Sequence, residues 1–461
     1  MSDTSVPARE LTLDIEAPAA GGATIARHDG QVVFVTGALP GEKVRVRTEA
    51  GPPARFLRAT VTEVVEASAH RVPDRRLDYV STGPADGSGA GSAGGNGGRP
   101  VPGPAGFGGM EFAHVDLAHS RTLKAEVLRD QLKRIGHIDA DPEVLPAPGE
   151  TDGTDWRTRV QLAVDDAGRA GMLAPRSHEV IPVTTPPLAA GPLHELDIAG
   201  LRAPGVRRLE FAWAGDRGAL IVRGRPTAQV LDAIEAWLPT SFSLLAEAAE
   251  PENGRGRGRG GRPHGRRRAQ ASARPLRVLR GEPTLTETVD GRDFAVGADG
   301  FWQVHRSAAA LLSSEVVTAL PADVDAITDL YCGVGLLGIA AARATGAPLF
   351  GVEGVEAAIA HARENAADLE ARFLALGVDR ARLPDSDVII LDPPRAGAGR
   401  KVASAIIESS ARTVVYVSCD PATLARDLAA LTDGGFAIES LTGFDLFPLT
   451  AHLETVTVLR R

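Results

Sequence analysis

Cysteine is nearly missing from this chain: Cys332 and Cys419 are the only two in 461 residues. So sparse a supply excludes a disulfide-stapled fold and fits a reducing cytoplasm. Lysine is almost as rare, with Lys43, Lys124, Lys133 and Lys401 the four among fifty basic residues. Alanine and glycine are also abundant, so part of the arginine bias reflects genomic base composition and is not by itself a phosphate-binding signal. No apolar run reaches the roughly 18 residues of a membrane span, and residues 1–10 hold no apolar signal core. A cytoplasmic protein with no membrane partner is expected. Nothing suggests a coiled coil or an exposed apolar stripe, so a monomer is expected. A chain of 461 residues should divide into two to four domains.

What is present is patterned. Residues 8–66 carry short alternating strands, near 11–15, 32–35, 41–47 and 59–65, broken by glycine and proline as in small OB-like barrels. A central α+β unit is expected over 67–283. It includes an amphipathic helix at 121–135 with Leu123, Val127, Leu128, Leu132 and Ile135 on one face, strands at 159–164 and 219–223, and a helix at 227–237. Two tracts in it cannot bury a core: a Gly/Ser-rich stretch at 81–109 and an arginine-rich stretch at 253–280. The second holds ten arginines and no acid, while the whole chain carries −9, so the positive charge is strongly localised. Such a tract serves either as a salt-sensitive contact to single-stranded RNA or as a solvated linker.

From 284 to 461 strands and helices alternate, with strands near 326–331, 348–352, 387–391 and 413–417 and helices near 335–345, 355–368, 399–410 and 421–432. That alternation predicts a doubly wound parallel sheet, a Rossmann-like α/β fold. Two last strands, 436–441 and 453–459, should form an antiparallel hairpin at its edge.

The chemistry collects at the carboxyl ends of these strands, where such sheets bind ligands. The first strand runs into Asp329-Leu330-Tyr331-Cys332-Gly333-Val334-Gly335, a turn that lets a ligand approach the backbone at a helix start. The spacing is too short for a full dinucleotide fingerprint. With Glu353 ending the next strand, where an acid can bind ribose hydroxyls, it points to an adenosine-type cofactor such as S-adenosylmethionine. Cys332 should only pack in the turn. Cys419 ends a buried strand just before Pro421, and the helix N-terminus would favour its thiolate. Asp392 and Glu454 are expected on the same edge. A soft nucleophile with a carboxylate base suits addition to an electron-poor ring and then proton removal; uracil C6 is such an electrophile.

These residues amount to a resemblance. Asp329–Gly335, Gly351-Val352-Glu353-Gly354-Val355-Glu356, Leu391-Asp392-Pro393-Pro394-Arg395-Ala396-Gly397, the run from Tyr416 through Val417-Ser418-Cys419-Asp420-Pro421 to Asp427, and the run from Phe447 to Glu454 resemble the RNA uracil-5-methyltransferase family. The likeness is dense over 294–461 and looser over 8–66, which is similar to the RNA-binding TRAM domain. It implies a class I methyltransferase sheet, S-adenosylmethionine as cofactor and RNA as partner. It also implies that Cys419 adds to uracil C6, that Glu454 removes the C5 proton, and that Gln303, Tyr331, Glu353 and Asp392 contact the cofactor. The target uridine would be extruded from its stack, at a cost of a few kcal/mol.

The departures are specific. Many relatives hold an iron–sulfur cluster on four cysteines; the matching positions here fall on the glycine-rich tract, Phe107-Gly108-Gly109-Met110 and Pro186, and two cysteines cannot build one. No iron–sulfur cluster and no other metal is therefore expected. His305 stands where relatives usually have asparagine. The stretch 365–387 is short, leaving Asp379 as the candidate for the adenine contact. Two other readings stay open: a catalytically inactive RNA-binding paralogue, and methylation of adenine N6. Retention of Cys419, Glu454, Asp392 and Gln303 opposes the first. Arg395, where the second would want an aromatic, opposes that. Among RNAs, 23S ribosomal RNA is favoured and the transfer-RNA T-loop is the alternative, by analogy with relatives that carry a separate barrel.

Overall fold

The alternating N-terminal segment closes on itself. In the computed structural model, which describes residues 6–52, 54–80, 106–248 and 275–461, strands Glu10–Pro18, Ala23–His28, Gln31–Thr36, Lys43–Thr48 and Phe56–Glu66 form a closed barrel. Inward positions are small and apolar: Leu13, Ile15, Ala26, Val33, Val35, Val44, Val46, Ala59 and Val61. The strand Ala23–His28, which the sequence reading passed over, joins the next through Asp29 (φ 50°) and Gly30 (φ 79°). Two consecutive left-handed residues are what a tight hairpin turn requires, and Asp-Gly supplies them at least cost.

A seven-stranded sheet forms the middle of the chain, in the order Leu276–Arg280, Phe242–Glu247, Arg217–Gly224, Val206–Ala214, Arg159–Val164, Ala170–Leu173, Val180–Pro182. The helix Ala228–Trp237 starts at Thr227, whose hydroxyl accepts from the Val230 N–H at 3.3 Å. The expected loose tracts lie outside the described residues over 81–105 and 253–274. At their margins the expectation is corrected. Phe107 is fully buried, edge-on to Tyr79 with centroids 6.5 Å apart, and Leu276–Arg280 is an edge strand paired with Phe242–Glu247. Leu276 and Leu279, each packed against a neighbouring apolar cluster, outweigh the arginines there.

The catalytic sheet has eight strands: Ala371–Ala375, Leu349–Glu353, Ile327–Leu330, Val388–Leu391, Thr413–Ser418, Glu454–Arg460, Ala437–Asp445, Val144–Pro146. The first five run parallel, and Glu454–Arg460 is antiparallel to both neighbours. The Rossmann-like architecture is therefore present. Helices cover both faces, so strands such as Val388–Leu391 are buried along their whole length and read as unbroken apolar runs. Chain order reverses between Ile327–Leu330 and Val388–Leu391, opening a crevice at their carboxyl ends.

Two features differ from expectation. The C-terminal hairpin is not the edge: Val144–Pro146 adds a parallel strand beyond Ala437–Asp445. The helix Leu117–Ile135 packs on Pro421–Asp433 through Leu128 and Leu132, so 117–146 belongs to the catalytic layer and not the central one. Lys124 on this helix forms a buried ion pair with Asp445 and donates to the Phe447 carbonyl at 3.1 Å. Both groups being out of water, removal of either partner leaves an uncompensated buried charge.

Candidate active site

Strand register brings the singled-out residues to one edge. Ser418 pairs with Thr455, and the Thr455 hydroxyl donates to the Ser418 carbonyl at 2.9 Å, so Cys419 and Glu454 leave adjacent antiparallel strands side by side. Leu391 pairs with both Tyr416 and Leu330, which puts Asp392 between Cys419 and Tyr331. Leu330 in turn pairs with Val352, placing Glu353 on Tyr331's other flank. Gln303 arrives from outside the sheet, and its Nε2 donates to Asp392 Oδ2 at 3.2 Å. Asp379 lies on the 3₁₀ turn Val378–Arg380 after the edge strand Ala371–Ala375, 3.8 Å from Lys401 Nζ.

The glycine-rich turn is held open by its backbone. Tyr331 adopts φ 61°, Gly333 φ 54° and Gly335 φ 94°, and a Cβ on Gly333 would meet no atom within 4 Å. Beneath it lies Asp329, which the sequence reading quoted but gave no role. Its buried carboxylate accepts from the Gly338 N–H at 2.9 Å, and a Cβ at 338 would fall 2.6 Å from Asp329 Oδ2. Burial pushes Asp329 up to about 8. Cys332 is 6 % exposed and packs beside Gly351, where a Cβ would lie 3.0 Å from its sulfur.

The electrostatics are one-sided. Glu454 is buried, its Oε1 has no hydrogen-bond partner among the described residues, and burial beside Asp392 raises its pKa well above the usual carboxylate range. Burial also raises Asp392, to about 7, opposed by Gln303. The Cys419 thiol corrects the expectation of a helix-stabilised thiolate. Its burial, with Glu454 and Asp392 beside it, pushes it up to about 12, against which Arg395 acts. Asp420, which caps the following helix by accepting from the Thr423 N–H at 2.9 Å, adds a further charge that raises the thiol.

Several groups at this edge carried no role in the sequence. Arg395 reaches His452, with Nη2 3.2 Å from Nε2. Arg157 lies 5.8 Å from the Trp156 ring centroid and feels both Glu111 and Arg395. His305 is buried and stacked on Trp156 at 5.6 Å, and its Nδ1 accepts from the Ser307 N–H at 3.0 Å; burial lowers it to about 4, so it is neutral. Phe301, 70 % exposed, stands two residues before Gln303. Asp427, 2 % exposed on the helix that follows Cys419, accepts from the Tyr416 hydroxyl (2.8 Å) and from the N–H groups of Ala398 (2.7 Å) and Gly399 (3.3 Å). Thr423 and Arg426 of the same helix donate to the carbonyls of Arg395 (3.1 Å) and Ala396 (2.9 Å). The loop after Asp392 is thus pinned by the helix that carries the thiol. An aspartate within a helical pattern gives no sequence sign of such a role.

An open glycine turn, a strand-end acid and several buried carboxyls opposed only by Arg395 among the described residues fit a ligand that presents ribose hydroxyls and positive charge. Comparison with known proteins agrees. Residues 377–461 match the tRNA (Uracil-5-)-methyltransferase family, 307–415 the methyltransferase small domain and 7–62 the TRAM domain. An uncharacterized RNA methyltransferase from Streptomyces avermitilis is 36 % identical over 98 % of this chain and 98 % of its own. One from Streptomyces coelicolor is 36 % identical over 99 % of this chain and 93 % of its own. The crystal structure of the Pyrococcus abyssi tRNA (uracil-54, C5)-methyltransferase with S-adenosyl-L-homocysteine shares the fold, with a TM-score of 0.68 at 20 % identity, over 97 % of this chain and 100 % of that one.

Proposed function

The chain belongs to the RNA uracil-5-methyltransferase family and is an S-adenosylmethionine-dependent RNA methyltransferase, and we propose that it methylates C5 of a uridine in RNA through a covalent Cys419–uracil C6 intermediate. The observation that carries this reading is the register of Cys419 with Glu454, a thiol and an unpartnered carboxyl at the ends of neighbouring strands. S-adenosylmethionine, when bound, supplies an electrophilic methyl group on a sulfonium. Glu353 and the Tyr331 turn would hold its adenosine part, and Asp392, positioned by Gln303, would face its positive charge.

The protein's own steps are proton and carbon bookkeeping. The Cys419 thiol loses its proton to solvent as Sγ bonds to C6, and the electron pair of the C5–C6 double bond moves onto C5 and the C4 carbonyl. Once C5 carries the methyl group, Glu454, which must first give its own proton to solvent and so enter this step ionised, takes the C5 hydrogen as a proton. Those electrons re-form the double bond, the Sγ–C6 bond breaks, and sulfur recovers its pair. The high resting pKa of the thiol, against which Arg395 already acts, keeps it unreactive until further positive charge enters the site. Arg395, exposed at this edge, offers charge to RNA phosphates. We propose further that the protein acts as a monomer.

A barrel does not by itself separate the two RNAs: the archaeal protein named for transfer RNA shares the fold over 97 % of this chain, and ribosomal and transfer RNA both stay open. The test settles both points: incubate the protein and cofactor with 5-fluorouridine-substituted total ribosomal or total transfer RNA and look for a denaturation-stable adduct. Fluorine cannot leave as a proton, so the intermediate should accumulate and be absent from Cys419→Ala; digestion names the RNA. Cofactor binding without an adduct on either RNA would instead support an inactive RNA-binding paralogue.

A further inference from the structure

Positive charge is scarce where the chemistry happens. Burial, and after it the carboxyls of Glu454, Asp392 and Asp420, push the Cys419 thiol up, and Arg395 is the cation that acts against them. Burial and Asp392 raise Glu454 in the same way, again against Arg395. Yet Arg395 is exposed. A long side chain free in water spreads its charge over many rotamers and does little for any one neighbour. Its backbone is held, because the Thr423 hydroxyl donates to the Arg395 carbonyl at 3.1 Å. Among the described residues the side chain's hydrogen-bond partner is His452, with Nη2 3.2 Å from Nε2.

A guanidinium only donates, so His452 Nε2 accepts and the proton of the neutral ring sits on Nδ1. The surroundings keep the ring in place and in that state. His452 is half-buried, and Phe447 meets it edge-on with centroids 6.0 Å apart. Its backbone N–H donates to the Thr450 hydroxyl at 3.1 Å, and the N–H of Ala451 before it donates to Glu111 Oε2 at 3.3 Å. Burial and then Arg395 lower His452 to about 4; Lys124 and Arg157 act the same way and Glu111 against them. At neutral pH the ring is therefore an acceptor and carries no charge of its own. We propose that His452 is a positioning residue, whose Nε2 fixes the Arg395 guanidinium where its charge reaches both Cys419 and Glu454. In both steps the reacting form is the anion: sulfur once its proton has gone to solvent, and the carboxylate that receives the C5 proton. The inference rests on the uridine-methylating reading, but its first test needs no RNA.

The test labels Cys419 of the full chain with iodoacetamide at about pH 9, where an ordinary thiol is largely ionised, and reads the rate by mass spectrometry. His452→Phe keeps a ring against Phe447 and removes the acceptor. Labelling should slow by about threefold to tenfold, the thiolate lost when a pKa rises by up to about one. Arg395→Gln, a change at an exposed residue that leaves the core alone, should slow it by a similar factor. The double variant should be no slower than Arg395→Gln, because a charge and its anchor act as one unit. His452→Gln, whose amide oxygen accepts at the same place, should return labelling to within about twofold of wild type, the scatter between variants that share an interaction. A ring that only packs would, once changed, loosen the loop and leave labelling unchanged or faster, and that result in His452→Phe overturns the proposal. So do losses that multiply in the double variant, or equal losses in His452→Phe and His452→Gln. The 5-fluorouridine adduct of the wild type is measured alongside. If it forms while the labelling prediction fails, only the His452 assignment falls; if labelling behaves as expected and no adduct forms, the uridine reading falls and the Arg395 anchor stands.

Discussion

The crevice at the carboxyl ends of the parallel strands and the groove between the barrel and the helix Leu117–Ile135 are made of opposite materials. In the crevice, Asp329 and Glu454 are buried, Asp392 is half-buried, and each is set by strand register or a short hydrogen bond. In the groove, half-exposed apolar side chains dominate, and Arg27 and Arg134 are ion-paired with Glu16 and Asp130. A buried carboxyl is costly and is kept only where a specific charge or proton must be met. An exposed ion pair at a rim costs little and contributes little. Chemistry thus belongs to the crevice, and changes there should separate from changes at the barrel wall.

The largest effect expected is at Cys419. Cys419→Ala should reduce methylation by about four orders of magnitude or more, as for loss of other nucleophiles, while binding of a fluorescein-labelled oligouridylate stays unchanged; a comparable loss of binding would show that the change is not confined to the crevice. Glu454→Gln comes next. Methyl transfer should still occur but release should fail, lowering turnover by about 10²–10⁴-fold and leaving a methylated RNA–protein adduct visible on a denaturing gel without fluorouridine. Asp427→Asn touches neither reacting group. By loosening the loop from Arg395 to Gly399 it should lower kcat by about tenfold to a hundredfold, the scale of a small misplacement, with the oligouridylate affinity unmoved; a fall in affinity alone would deny it a positioning role.

The smallest effects are in protonation. Because the Cys419 pKa is raised to about 12, its thiolate fraction in the free protein should rise about tenfold per pH unit. Iodoacetamide labelling at Cys419, followed by mass spectrometry, should therefore climb from pH 7 to pH 10 (roughly the range over which an ordinary thiol saturates) without levelling. A plateau near the ordinary thiol pKa would show that burial does not control it. Asp392, raised to about 7 by burial, is half protonated in the free protein near neutrality and must ionise to meet a cation. Cofactor binding just below that pH should release a proton, and affinity should increase as pH rises through it. Calorimetry in two buffers of different ionisation enthalpy reads the release directly.

Much of the crevice was legible in one dimension. Each strand-end motif is local: an apolar run, then a reactive residue, then a turn. Parallel strands all present their carboxyl ends on one side of the sheet, so Cys419, Asp392, Tyr331 and Glu353 could be placed on one edge from the chain alone. The Leu117–Ile135 helix was legible only as an element. Its apolar positions served two masters, Leu128 and Leu132 against the catalytic layer and Val127 and Ile135 toward the groove, and helical spacing cannot say which neighbour each one meets.

Composition and pattern thus determined that the protein has a barrel, a doubly wound sheet, a candidate thiol nucleophile and a family likeness, because those depend on residues adjacent in sequence or one helical turn apart. The tertiary structure alone decided that the thiol rests protonated, that Asp427 holds the neighbouring loop, and that His452 meets Arg395. Each of these depends on burial or on charges brought together from distant segments, and desolvation and long-range Coulomb terms have no signature in a linear string.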